Sequence, residues 1–249
     1  MSSVRVAAHV HSVWSDDGSW TLDAIARSFI RRRYDAILMS EHDRGFDPSR
    51  WDEYQRACAR VSEEQRILLV PGIEYQDGDN VVHVPVWGID VPFLGESRPT
   101  LELLSAASDA GAVAVFAHPW RQDALARYRS EWAPHLCAVE VWNRKYDGIA
   151  PRRIAWELAR REMLMPFVSL DFHTRRQFFP LAMSMDIEGS LTASALMAAM
   201  HAGQCRPQAL GLSALRFTRG LEGLAAGALE AIRRTMAQSV RAARPNRRP

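Results

Sequence analysis

The chain has 249 residues, is 47% apolar and 24% charged, and carries a net charge of +2. That length suits one large α/β domain or at most two small ones, and the composition excludes a chain that is disordered over most of its length. Cys58, Cys137 and Cys205 are too few and too far apart for a disulfide framework or a CxxC site, which points to a reducing compartment.

Short β-type runs alternate with longer helical ones. Residues 4–10 predict a strand, and residues 21–33 a helix capped by Thr21, with Leu22, Ile25, Phe29 and Ile30 at helical spacing. Strand 36–40, helix 48–62 and strand 67–75 follow. Asp77-Gly78-Asp79-Asn80 is a turn signal between two apolar runs, so residues 73–87 predict a hairpin. Then come helix 100–110, strand 112–117, helix 123–131, strand 138–142, helix 151–163, strand 167–170 and helix 192–202. This β–α alternation predicts a mostly parallel sheet with helices outside it. Seven strand-like segments fit a barrel or an open sheet, and periodicity does not separate the two.

From residue 212 the chain reads as an amphipathic helix, with Leu221, Leu224, Ala228, Ile232, Met236 and Val240 on one stripe. The expectation is a helix packed on the domain or on a partner subunit, followed by a disordered end over residues 244–249. Nine Arg against two Glu from Arg206 onward make this tail basic, and they leave the remainder acidic. Such a tail can attract phosphate-rich partners or anionic lipid, or simply keep a helix soluble. It has no interleaved aromatics and no nucleic-acid module. No apolar stretch nears the ~20 residues that span a bilayer, and the start of the chain does not read as a signal peptide. The expected location is cytoplasmic.

Six of the eight histidines fall at or just beyond expected strand ends. His9 and His11 close the first, His42 follows the second, and His83 lies in the outgoing arm of the hairpin. His118 ends the 112–117 strand, and His173 stands two residues after Asp171 beyond the 167–170 strand. In a parallel α/β protein the carboxyl ends of strands share one face, where such residues converge. Residues at i and i+2 on one strand also point to the same side. Any one of these histidines alone is more readily structural; their recurrence at successive strand ends, with Glu74 in Pro71-Gly72-Ile73-Glu74, points to metal binding. So many nitrogen and oxygen donors exceed one ion and suggest two or three divalent ions. The imidazole–carboxylate mix suits zinc, manganese or iron rather than calcium.

In this order, His9-Val10-His11-Ser12 with Asp17-Gly18, Glu41-His42-Asp43, Gly72-Ile73-Glu74, His83, Ala117-His118-Pro119 and Asp171-Phe172-His173 resemble the motifs of the PHP (polymerase and histidinol phosphatase) family over residues 4–207. The resemblance implies a distorted seven-stranded β/α barrel over residues 1–207, followed by a helical tail over 208–249, and a trinuclear metal site. It implies that His9, His11, Glu74 and Asp171 hold one ion. Glu74 would bridge to a second ion on His83 and His118, and Asp17, His42 and His173 would hold a third. Glu74 and Asp171 are thus the expected catalytic carboxylates. Asp17 is preferred to Asp16 because it directly precedes Gly18.

Three divalent ions outweigh three carboxylates, so the site favours an anionic substrate. The first expectation is hydrolysis of a phosphomonoester or phosphodiester by a metal-activated hydroxide. A carboxylic ester or amide substrate and a non-catalytic regulatory module are the alternatives. Arg121, Arg144 and Arg175 are the expected substrate ligands, because arginine pairs with phosphate by two hydrogen bonds. Asn143 and Lys145, the latter the chain's only lysine, follow the same strand as Arg144.

Overall fold

The computed structural model describes residues 2–242. The first half contains β1 (Ser2–Val10), α1 (Leu22–Ile30), β2 (Ala36–Met39), β3 (Glu41–His42), α2 (Trp51–Gln65), β4 (Leu68–Val70), β5 (Gly72–Gln76), β6 (His83–Trp87) and α3 (Thr100–Asp109). It is followed by β7 (Val113–Phe116), α4 (Ala124–Arg127), β8 (Ala138–Asn143), α5 (Arg144–Asp147), α6 (Arg153–Arg161) and β9 (Met165–Ser169). The chain then forms β10 (Leu181–Ile187), α7 (Ala193–His201), β11 (Cys205–Ala209), β12 (Leu212–Ser213) and α8 (Gly220–Ala242). The turn signal at residues 77–80 produces the antiparallel β5–β6 hairpin, and Thr21 caps α1 by accepting the amide of Ala24 at 3.2 Å.

The strands form two six-stranded sheets, β12-β11-β10-β1-β2-β4 and β3-β5-β6-β7-β8-β9. The arrangement is α/β as expected, but it mixes antiparallel with parallel pairs, and no closed barrel forms among the described residues. β1–β2, β2–β4, β3–β5, β7–β8 and β8–β9 pair in parallel, whereas β10 runs antiparallel to both β1 and β11. The sequence hides β10 and β11. Leu181–Ile187 interleaves Met, Ser and Asp with few β-branched residues, and Pro207 sits inside β11. Pro207 is tolerated because β12 reaches only Gln208 and Ala209, so the missing N–H faces no neighbouring strand. β11 runs across residue 207, the boundary expected from the motifs.

The helix expected over residues 123–131 is cut short. The chain is extended at Tyr128 and Arg129, and a 3-10 segment (Ser130–His135) brings Trp132 and Tyr128 onto Phe116. The tail helix also differs from expectation. α8 forms, but Leu221, Leu224, Ile232 and Met236 of the expected stripe are exposed, while Ala226 and Glu230 are buried. A polar contact fixes the helix in place of an apolar one: Glu230 accepts the amide of Ile149 at 3.0 Å and pairs with Arg233 and Arg234. The expected disorder of residues 244–249 lies outside the described residues. No described helix is long and apolar enough to cross a membrane.

Two links between the sheets set up the functional face. β2 passes into β3 through Ser40, and β4 into β5 through Pro71, so two strand positions bend from one sheet into the other. On the far side, the segment after β9 lies beside the end of β1. The amide of Leu170 donates to Ala8 at 3.0 Å, that of Phe172 to His9 at 2.9 Å, and that of His11 to Phe172 at 2.9 Å. These bonds set Asp171 and His173 beside His9 and His11. β2, β5 and β8 are buried along their whole length. This suits the unbroken apolar run of β2 and makes Glu74 in β5 and Glu140 in β8 buried charges.

Gly72 shows how closely the two sheets approach. A Cβ there would lie 2.2 Å from Trp87 Cδ1 and 2.7 Å from the Met39 carbonyl oxygen. Trp87 is fully buried and donates its indole N–H to that same carbonyl. Gly72→Ala is expected to cost about 1–3 kcal/mol, the usual range for overpacking a core. Denaturant unfolding measures this, and an unchanged midpoint would contradict the close approach.

Candidate metal centre

Glu74, on β5, is 1% exposed. Five imidazoles surround its two oxygens. His9 Nε2 at 3.1 Å, His83 Nδ1 at 2.9 Å and His118 Nε2 at 3.0 Å face Oε1. His42 Nδ1 at 3.0 Å and His11 Nε2 at 3.6 Å face Oε2. The pairing of β3 with β5 sets His42 opposite Glu74, and the hairpin brings His83 across from Gln76. The second carboxylate, Asp171, lies 3.7 Å from His11, 3.8 Å from His118 and 3.3 Å from His173. Asp17 reaches His42 at 3.2 Å and His173 at 3.0 Å. All nine expected metal ligands therefore converge.

Backbone conformation aims several of them. His9, His118 and Asp171 all have positive φ, at 62°, 24° and 47°. Non-glycine residues there carry strain of order 1–3 kcal/mol each and need support from their surroundings. At His9 the β1–β2 register slips, so the bulge re-aims its side chain. The loop carrying Asp17 is held by Glu41. This buried carboxylate accepts the Ser12 and Ser15 hydroxyls at 2.6 Å each, and the Ser12 amide at 3.0 Å. Gly18 completes the loop, since a Cβ there would lie 1.8 Å from the Ser12 carbonyl oxygen. Asp16 points outward to Arg44 at 3.6 Å, and both side chains are more than half exposed.

The proton chemistry of the cluster is at odds with itself. Burial disfavours charge on His9, yet Glu74, Glu140 and Asp171 raise its pKa well above the ordinary value. Burial likewise opposes charge on His42, but Asp17 and Glu74 push it up to about 10. His11 shifts the other way: burial, His173 and His42 hold it well below the usual range. Burial also lowers His83, despite Glu74. Burial resists ionisation of Glu74, but His9 and His83 hold its carboxyl well below the carboxylate range. Asp17 is held low by His173 and His42 against the same burial penalty.

A neutral ring turns a lone pair as well as an N–H toward its neighbours, and a lone pair facing a carboxylate repels it. Five charged rings would repel one another instead. The buried His9 Nε2, His11 Nε2 and His118 Nδ1 make no hydrogen bond. Four overlapping groups of donors come within 4.8 Å of one another: Glu74, His83 and His118; His9, His11 and Glu74; His9, His118 and Asp171; and His11, Asp17, His42 and His173. Divalent cations accept lone pairs from imidazole and carboxylate alike, so the residues fit them.

Supporting residues surround the donors. Glu140, in β8, accepts from His9 Nδ1 at 2.7 Å, from the amide of His118 at 2.8 Å and from Asn143 at 2.8 Å. It fixes the ring of His9, as a carboxylate behind a ligating histidine does. Sequence reasoning missed Glu140; its only signal was an acid inside the apolar run of residues 138–142. Asn80 fixes His83 through Nε2 at 2.8 Å.

The donors open onto a cavity of about 120 Å³, rimmed also by Arg44, Gln76, Asn80, Arg121, Lys145 and Tyr146. Of the three arginines expected to bind substrate, only Arg121 borders it. Arg144, at the start of α5, turns toward Phe179 and the Arg176 carbonyl. Arg175 stands exposed in a 3-10 turn. Lys145 takes the position instead, with Nζ 3.2 Å from Asp171 Oδ1 and 3.3 Å from His173 Nε2. A roomier cavity of about 630 Å³ lies along α6 around Trp156 and Met163, but its walls carry no histidine, aspartate or cysteine.

No protein-family profile and no curated protein matches the chain. Solved structures do match its fold. A two-domain Bacteroides vulgatus protein containing a predicted PHP-like metal-dependent phosphoesterase aligns at TM-score 0.66 and 20% identity, over 83% of this chain and 65% of that one. The chain thus spans less than two thirds of that relative. The lesion-specific endonuclease PfuEndoQ from Pyrococcus furiosus aligns at TM-score 0.57 and 13% identity, over 81% of this chain and 56% of the endonuclease. An amidohydrolase from Chromobacterium violaceum with bound sulfate aligns at TM-score 0.52 and 16% identity, over 68% and 88%. The chain shares the fold of PHP-like proteins, in line with its motifs.

Two expectations follow from this geometry. Asp17→Asn should lower the metal content of purified protein, and Asp16→Asn should leave it unchanged. Equal losses in elemental analysis would remove Asp17 from the cluster. The second concerns Asp147, where burial outweighs the Asn143 amide and Arg152 and pushes the carboxyl up to about 6. Its folded pKa exceeds the unfolded value near ~3.9. Stability is therefore lost as pH rises through about 6, by up to about 3 kcal/mol at ~1.4 kcal/mol per pKa unit. Asp147→Asn should gain stability relative to the unsubstituted protein between pH 4 and pH 7. A difference independent of pH would contradict it.

Proposed function

We propose that the protein is a metal-dependent phosphoester hydrolase acting on a phosphomonoester or phosphodiester. The observation that carries this reading is the buried cluster of six histidines, Glu74, Asp171 and Asp17 opening onto a small cavity with cationic side chains on its rim. In this reading His9, His11, Glu74 and Asp171 would hold one ion, Glu74, His83 and His118 a second, and Asp17, His42 and His173 a third. Zinc, manganese and iron suit these donors. Bound ions supply positive charge to polarise a phosphoryl group and to make a water acidic near neutral pH.

The chain's own residues do the rest. Glu140 and Asn80 hold the rings of His9 and His83 in place. Tyr146 and Asn80 hold Arg121, by contacts of 3.1 Å to the phenol oxygen and 3.0 Å to Asn80 Oδ1. The cavity, about 120 Å³, equals about four waters and is smaller than the ~300 Å³ at which drug-sized pockets begin. It admits a phosphoryl group and leaves the remainder of the substrate outside. The names of the Bacteroides and Pyrococcus relatives favour phosphoester chemistry.

The test is turnover by zinc-, manganese- or iron-loaded protein on phosphomonoesters, phosphodiesters and carboxylic esters. Phosphoester cleavage should stop on chelation. Glu74→Gln should lower metal content, and kcat/KM should fall by more than the ~10–100-fold typical of losing a supporting group. Cleavage of carboxylic esters alone, or normal turnover in Glu74→Gln, would overturn the reading.

A further inference from the structure

Of the 31 Lys and Arg residues in the chain, only Lys145 is lysine. Its ammonium borders the metal-ligand cavity. The two other cations there are already engaged. Arg121 donates to Tyr146 and to both the side chain and carbonyl of Asn80, and Arg44 pairs with Asp16. Lys145 has a different set of partners. Its Nζ lies 3.2 Å from Asp171 Oδ1 and 3.3 Å from His173 Nε2, both of them atoms of residues read here as metal ligands. With the lone pairs of those residues committed to a metal, the ammonium would have donors to spare for an anion.

That place is built. The Asn143 side-chain oxygen accepts the amides of Lys145 and Tyr146 at 3.0 and 3.2 Å, while its Nδ2 donates to Glu140 at 2.8 Å and lies 3.3 Å from Asp171. One side chain thereby registers Lys145 against both Asp171 and the carboxylate behind His9. The lysine side chain is 29% exposed, so an incoming anion can reach it from the cavity. A compact ammonium with three rotatable donors fits a tetrahedral oxyanion in a narrow site, where the broad fork of arginine needs more room.

We propose that Lys145 binds the substrate's anionic group, donating from Nζ to a non-bridging oxygen of the phosphoryl group held at the metal cluster. This rests on the phosphoester reading above. It assigns to Lys145 the role that the sequence pattern gave to Arg144 and Arg175.

A single ε-amine makes the test direct. Metal-loaded protein is acetylated with and without inorganic phosphate, and the peptides are quantified by mass spectrometry. Phosphate at ten times its dissociation constant should slow acetylation of Lys145 about tenfold. The α-amino group, as internal reference, should react unchanged. Lys145→Ala should keep its metal and lose about 10²-fold in kcat/KM on the best phosphoester, as for loss of one oxyanion donor. Added ethylammonium should restore part of that loss. An unprotected Lys145 would overturn the assignment, as would a Lys145→Ala variant with unchanged kcat/KM. A variant that loses its metal would also overturn it, because Lys145 would then act by supporting Asp171. If the unsubstituted protein cleaves phosphoesters throughout, only the lysine assignment fails. If it carries metal and cleaves none, the phosphoester reading fails and takes the assignment with it.

Discussion

A carboxylate taken out of water costs several kcal/mol unless positive partners replace its hydration. Glu74 is buried between two sheets with five imidazole nitrogens within 3.6 Å of its oxygens. Protons on those rings cannot settle the site. Charging all five sets like charges side by side, with ring centroids of His11 and His42 only 4.4 Å apart. Leaving His9 and His42 neutral directs a lone pair at a carboxylate, because both nitrogens of each ring face one. Cations shared among the rings and carboxylates remove both conflicts. Much of the surrounding structure serves that arrangement: Glu140 behind His9, Asn80 behind His83, and Glu41 holding the loop that carries Asp17.

The fold brings these residues together by bending strands rather than by closing a ring. Ser40 and Pro71 carry two strand positions from one sheet to the next, and three hydrogen bonds tie residues 170–172 to the end of β1. The strain of positive φ at His9 and Asp171 falls at the last of these junctions, and that at His118 falls just beyond β7. Strain placed on ligands and compensated by buried hydrogen bonds is what a site fixed before ligand binding requires.

Much of the site was legible in the sequence because its donors stand at strand ends and come in short motifs. His9 and His11 stand two residues apart and their rings lie 5.1 Å from each other, although a bulge rather than the strand period aims His9, and the turn at residues 77–80 returns His83 to Glu74. The parts that stayed hidden act through tertiary contact alone. Glu140 looks like any acid in a strand until His9 is found 2.7 Å away. Arg144 and Lys145 are neighbours in sequence, but α5 sends one toward Phe179 and the other into the cavity. β10 and β11 have few β-branched residues and form because β1 offers β10 an open edge and β10 offers one to β11. On α8, periodicity identified an apolar stripe, but a buried Glu230 decided which face meets the domain.

The central claim is that Glu74 and its histidines hold divalent ions. Anomalous diffraction from crystals of protein purified without chelator, collected at the zinc, manganese and iron edges, tests it most directly. The account predicts peaks on both sides of the Glu74 carboxylate, each within bonding distance of histidine nitrogens. Density showing the same side chains hydrogen-bonded to one another and to water, with no anomalous peak in metal-supplemented crystals, would contradict it.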